Sequence, residues 1–242
     1  VRAGSRASTP AFDWENKGSW DAALEGIESV YLTYYPDLAV PEAPDAIRQF
    51  CRVARQHGVQ HIVLLSGRGE PAAQQCEEIV KASGLDWTII RASWFNHNFS
   101  EGAFYDMVQS GVLALPVSNV GEPFVDTDDI ADVAIAALTQ PGHKNKLYEV
   151  TGPRLLNFKE VADELSSALG KDIQFIPITT ETFEQEMLKQ GVPLDTISML
   201  LFLFNEVLDG RNEYITHGIE EALGRKPKDF SVFAREISFI KA

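Results

Sequence analysis

The sequence predicts an α/β fold built on a doubly wound parallel sheet, and three features carry that expectation. Short apolar segments rich in β-branched and aromatic residues alternate with stretches of helical period. The strand-like segments include Ile-rich runs of the kind found in buried parallel strands, and Gly or Pro marks most junctions. At 242 residues the chain suits one large domain, or a main domain with a smaller carboxy-terminal one.

Taken in order, VRAGSR from Val1, SVYLTYY from Ser29 and HIVLLS from His61 read as strands. Between the last two, Ile47, Phe50, Cys51 and Ala54 fall at i, i+3, i+4 and i+7 of a helix closed by Gly58. A second helix runs from Pro71 to just before Gly84, and DWTIIR follows as a strand. DTDDIADVAIAAL is a helix whose first turn carries Asp126, Asp128 and Asp129 against the positive end of its dipole. Strand KLYEVTG comes next, then a helix whose Asn157 and Glu160 fit a capping box, then strand DIQFIPI. From about Ile178 only helices are predicted. The expected division is therefore a sheet domain over residues 1–177 and a small helical lobe over 178–242, with no low-complexity linker. The all-round apolar helix Pro193–Leu208 would pack inside that lobe, close a substrate pocket or form a homodimer contact.

Composition narrows the function. Lys and Arg number 21 against 35 Asp and Glu, a formal charge of −14, which repels nucleic-acid phosphates and anionic lipid. Two cysteines, Cys51 and Cys76, each within a helical stretch, suggest neither a disulfide framework nor a metal site, and fit a reducing, cytoplasmic setting. No apolar run exceeds six residues, so no membrane span is expected.

Gly67-Arg68-Gly69-Glu70-Pro71-Ala72 has the G-x-G-x-x-A form of a dinucleotide fingerprint, with Asp86 19 residues after Gly67. Two details oppose a pyrophosphate here. Glu70 brings a carboxylate to the place of the phosphates, and Asp86 begins its strand instead of ending it. A tight strand-to-helix turn is the favoured reading.

The segments LLSGRGEPAAQQCEEIVKASGLDWTIIRASWFNHNFSEG, EPFVDTDDIADVAIAAL and LYEVTGPRLLNFKEVADEL together resemble the NmrA-like family, an atypical branch of the short-chain dehydrogenases. The resemblance implies a cofactor, NADP with NAD as the alternative, and a small-molecule substrate. It places Val1–Arg6 at the second strand of the nucleotide-binding sheet, so a first strand, glycine-rich loop and helix are expected about 25–30 residues upstream, or from another chain. Without them the chain alone is expected to be unstable, with unpaired strand edges.

Residue by residue, the resemblance puts Arg6 where a guanidinium favours the 2′-phosphate of NADP, although a solvated surface arginine fits as well. Asp13 matches a carboxylate near the adenine amino group, with Trp14 beside it as packing. Thr33, Tyr34 and Tyr35, followed by Pro36, match the lining of the adenosine ribose or belong to the sheet core. Ser66 takes the catalytic-serine position of ordinary short-chain dehydrogenases and borders the cofactor. The Tyr-x-x-x-Lys pair is missing: none of the six tyrosines has Lys four residues on, and its positions fall at Ala72 and Cys76. The turn Trp94-Phe95-Asn96-His97-Asn98 ends a strand where open α/β sheets bind ligands; there Trp94 and Phe95 would flank the cofactor, and Asn96 and His97 would join Ser66 in polarising a substrate. His97 as a surface or core side chain is the alternative. The resulting expectation is a reductase of a quinone, enone or imine-like acceptor, or else a protein that senses NADP(H) without turnover.

Overall fold

A computed structural model describes residues 1–240, and the chain divides into two compact units. The first comprises Val1–Arg91 and Val133–Tyr148; the second comprises Ala92–Asp132 and Glu149–Ala242. Strands β1 (Ser29–Leu32), β2 (His61–Gly67), β3 (Asp86–Ala92) and β5 (Lys146–Val150) form a sheet in that order, which belongs chiefly to the first unit. β1 and β2 are parallel, with Ser29 opposite His61 and Leu32 opposite Leu64. Helices α1 (Trp20–Leu24), α2 (Ala43–Gln56) and α3 (Pro71–Lys81) pack on it. α2 buries Ile47, Phe50, Cys51 and Ala54, the four positions its period selects, and both α2 and α3 carry Pro in the first turn, where no amide partner is lost. Trp20, Phe50, Ile62, Leu64 and Ile89 form the core, with Phe12 and Trp14 packed against it.

Val1–Arg6 is not a strand: Val1–Gly4 has no regular structure and a turn begins at Ser5. Local polar bonds win over extended pairing there. Ser8 Oγ lies within donating distance of the carbonyls of Ser5 (2.7 Å) and Pro10 (2.8 Å), and the Phe12 amide donates to the Ser5 carbonyl (2.9 Å). β1 consequently lies at the edge of the sheet.

In the second unit, β4 (Val112–Leu115) pairs in parallel with β6 (Gln174–Pro177). Helices α4 (Tyr105–Ser110), α6 (Phe158–Leu169), α7 (Thr180–Lys189), α8 (Leu194–Phe202), α9 (Gly218–Leu223) and α10 (Phe230–Ile240) complete it, while α5 (Thr127–Thr139) starts in this unit and ends in the first. The capping box at α6 forms as expected: Glu160 N–H donates to Asn157 Oδ1 at 2.9 Å and Asn157 N–H to Glu160 Oε2 at 2.8 Å. Phe99, Phe104, Phe124, Phe158, Phe204 and Phe230 share one aromatic core. That core explains why the units do not divide at residue 177. Ile197, Phe204 and Phe233 from the helical tail pack with residues of β4 and α6, so α7–α10 join an older neighbourhood in the chain instead of forming a lobe of their own. Among the described residues no strand follows β6, and no helix is long and apolar enough to cross a membrane.

Candidate functional site

In the first unit, Ser66 is the penultimate residue of β2, and Glu77 lies on α3, the helix that follows. Ser66 Oγ donates to Glu77 Oε1 at 2.7 Å. Arg91, from β3, holds the same carboxylate in a fork, Nε to Oε1 at 2.9 Å and a terminal nitrogen to Oε2 at 2.5 Å. Glu77 is completely buried, and Ser66 retains 4% exposure. Arg91 has only donors and an ionised carboxylate only acceptors, so the serine proton must point at Glu77. Ala72 and Cys76, where the resemblance puts the tyrosine and lysine positions, both lie on α3; burial pushes the Cys76 thiol up to about 12, so it offers no proton transfer near neutrality.

The Gly67–Ala72 turn is closed by its own glutamate. A β-carbon on Gly67 would lie 2.0 Å from Glu70 Oε1, so the carboxyl group occupies the space that a phosphate needs for close approach to that glycine. Glu70 is buried, and burial, then the charge of Asp37 and a hydrogen bond with it, hold its carboxyl well above the usual range. Asp37 is also raised by burial, against a bond from the Ala39 amide at 2.8 Å. Asp86 begins β3 and pairs with Lys144 at 2.7 Å.

The remaining first-unit candidates differ in exposure. Arg6, Thr33 and Tyr35 are exposed, Tyr35 at 74%, beyond the end of β1 in the case of the latter two. Tyr34 is half-buried against Trp14, ring centroids 4.8 Å apart. Asp13 organises a turn: its Oδ1 accepts from the Glu15 amide at 3.1 Å and its carbonyl accepts the Trp20 indole N–H at 2.7 Å.

In the second unit the chain leaving β3 is pinned to the segment before α5. Val125 N–H donates to the Trp94 carbonyl and Asn96 N–H to the Val125 carbonyl, both at 2.8 Å, and Phe95 bridges Val125. Trp94 stacks on Phe104, centroids 5.7 Å apart, and belongs to the aromatic core. A 3₁₀ turn, Asn96–Phe99, then presents the two polar candidates. Asn96 is fully buried; its Nδ2 lies 3.5 Å from Asp126 Oδ2 and its amide oxygen has no partner. His97 is half-buried, with Nδ1 2.8 Å from Thr127 Oγ1 and its ring against Phe233.

Sequence reasoning assigned Asp126, Asp128 and Asp129 to the helix dipole, and the structure adds specific partners. Asp126 is buried and caps Asp128 N–H at 2.9 Å. Lys228 reaches Asp128 (2.8 Å), Glu236 (3.0 Å) and Asp126 (3.4 Å). Burial alone would lower the Lys228 pKa, but these carboxylates outweigh it and raise it. Glu77, Arg91, Asp37 and Thr127 went unnoticed because nothing local in the sequence marks them as partners of Ser66, Glu70 or His97.

Comparison with known proteins places these features. Residues 1–141 match an NAD(P)H-binding family, and residues 72–234 match the NmrA-like family. The chain belongs to the NmrA-like family. Among curated NmrA-like relatives, festuclavine synthase II of Penicillium roqueforti is 30% identical over 94% of this chain and 86% of its own length. The NAD(P)H azoreductase of Xenophilus azovorans is 28% identical over 94% of the chain and 81% of its own. The fold is that of an NADPH-dependent quinone oxidoreductase of Escherichia coli, solved with NADPH (TM-score 0.79, 18% identity, 94% of this chain and 82% of that one).

The cofactor of this NmrA-like chain is accordingly a nicotinamide dinucleotide, NAD(P)H. The residues present fit parts of such a molecule. Exposed Thr33 and Tyr35 suit a ribose, exposed Arg6 a phosphate, and the two remaining lone pairs of Ser66 a hydrogen-bond donor. The Gly67 turn does not fit a pyrophosphate, because Glu70 fills it.

Proposed function

We propose that this chain is an NAD(P)H-dependent reductase of small apolar or aromatic acceptors carrying an activated C=C, C=N or quinone group. What supports this reading is the sequence: none of the six tyrosines has Lys four residues on, and the family resemblance puts that pair's positions at Ala72 and Cys76. An acceptor already polarised by conjugation needs less proton help than a ketone. A bound nicotinamide ring supplies the hydride. Ser66, Thr33, Tyr34 and Tyr35 at the strand ends of the first unit bind that cofactor, with Arg6 selecting the 2′-phosphate and Asp13 near the adenine. The family resemblance assigns Trp94 and Phe95 to the cofactor as well. His97, half-buried and held through Nδ1 by Thr127, presents its other nitrogen to the acceptor and passes it a proton. Asn96, fully buried, holds the turn on which His97 sits.

The test is oxidation of NADPH by a panel of quinones, enones and imines, followed by absorbance. Acceptor-dependent oxidation that His97→Ala lowers by about 10²-fold or more supports the reading. Tight NADPH binding with no acceptor reduced above the blank would instead mark a sensor.

A further inference from the structure

We propose that Ser66 serves this protein as a hydrogen-bond acceptor, with Glu77 and Arg91 fixing its polarity, and that it holds the carboxamide N–H of the nicotinamide ring. The proposal rests on the cofactor-binding part of the preceding reading. A serine hydroxyl has one proton and two lone pairs, and here the proton is committed to a buried carboxylate at 2.7 Å. Glu77 cannot return the favour, because both its oxygens accept from Arg91. Turning the hydroxyl outward to polarise a substrate carbonyl would leave a fully buried carboxylate short of one donor. The lone pairs are what remains. Among the described residues no group donates to Ser66 Oγ. Ser66 keeps 4% exposure and Glu77 has none, so of the two residues only the serine is open to an incoming molecule.

An acceptor at the carboxyl end of β2 selects a ligand with an N–H or O–H to give, and discriminates against one offering only a carbonyl. The nicotinamide ring carries such a group, a primary carboxamide. Its 3-acetylpyridine analogue is nearly the same size and lacks the N–H. Glu77 and Arg91 are positioning residues in this arrangement, since they act through Ser66.

The experiment is equilibrium binding of NADP⁺ and of its 3-acetylpyridine analogue to the wild-type chain, Ser66→Ala and Ser66→Thr, with the melting transition of each recorded. One neutral hydrogen bond corresponds to a preference of roughly three- to tenfold. The wild type and Ser66→Thr should prefer the carboxamide by that factor, and Ser66→Ala should bind both ligands equally. A structural role alone would shift both affinities together and leave their ratio unchanged. A wild-type chain without preference, or a preference that survives Ser66→Ala, overturns the proposal while leaving the cofactor reading intact. Absence of binding by either ligand overturns both.

Discussion

The carboxyl group of Glu70 lies over the α-carbon of Gly67, 2.0 Å from the point where a β-carbon would stand. The glycine is required there for its own glutamate. Gly67→Ala should therefore push the carboxyl away from Asp37, with a loss of about 1–3 kcal/mol. Paired with Glu70→Ala, the two changes should show a coupling energy of about 0.5–3 kcal/mol in a double-mutant cycle by urea denaturation; strict additivity would contradict the contact.

Glu70 also predicts a pH dependence. Its folded pKa is raised above the unfolded value of 4.5 by burial and by Asp37, so the folded chain holds this proton more tightly. The stability it lends is complete below about pH 4.5 and is lost as pH rises through the folded pKa. Glu70→Gln, which keeps an N–H for Asp37, should gain on the wild type progressively above pH 4.5 and match it below. A constant difference from pH 4 to 8 would refute this.

His61 and His143 predict the opposite trend at lower pH. Burial lowers both from 6.5; His61 Nε2 lies 2.9 Å from Thr88 Oγ1, and that hydroxyl donates to the His143 carbonyl at 2.7 Å. Lys144 also lowers His61, whereas Asp86 raises it. Their stability is present above pH 6.5 and lost as pH falls through the folded values. His61→Gln should flatten the decline in melting temperature below pH 6.5.

In the second unit, Asp129 is buried and accepts from Arg225 and from the Lys228 amide, both at 2.6 Å, whereas the neighbouring Asp132 binds Arg225 at the surface. Asp129→Ala should cost about 1–3 kcal/mol by leaving a backbone N–H without its acceptor. Asp132→Ala should cost less than about 1 kcal/mol. Equal losses in chemical denaturation would show that burial is not the deciding factor.

Arg6→Asp should reverse the preference for NADPH over NADH, because a carboxylate repels the 2′-phosphate and suits ribose hydroxyls. The ratio of the two dissociation constants is the measurement; an unchanged ratio removes Arg6 from the cofactor site.

The sequence made the alternation of β1, α2, β2, α3 and β3 legible, because each burial pattern is local and Pro or Gly marks the ends. It did not reveal β4. Val112–Leu115 is too short to show a period, and its partner β6 lies far downstream. Val1–Arg6 carried too weak a strand signal to stand against the Ser5–Ser8 turn that forms instead. Ser66, Asn96 and His97 could be picked out by their place at strand ends, but the groups that govern them could not. Glu77 reads as one more charge on an amphipathic helix, and only packing shows that it is the least exposed carboxylate on α3. The units also divide elsewhere than at residue 177, since aromatic side chains from both sides of that point meet in one core.

The convergence of Ser66 and Arg91 on Glu77 amounts to a spacing rule: a serine closing a strand, a glutamate 11 residues later on the following helix, and an arginine 14 residues beyond that on the next strand. A chain that keeps all three has a serine whose proton is already assigned. One that replaces the glutamate by an apolar residue releases the hydroxyl to donate. The hydrogen-bonding sense at this serine is therefore set by the residue 11 positions downstream.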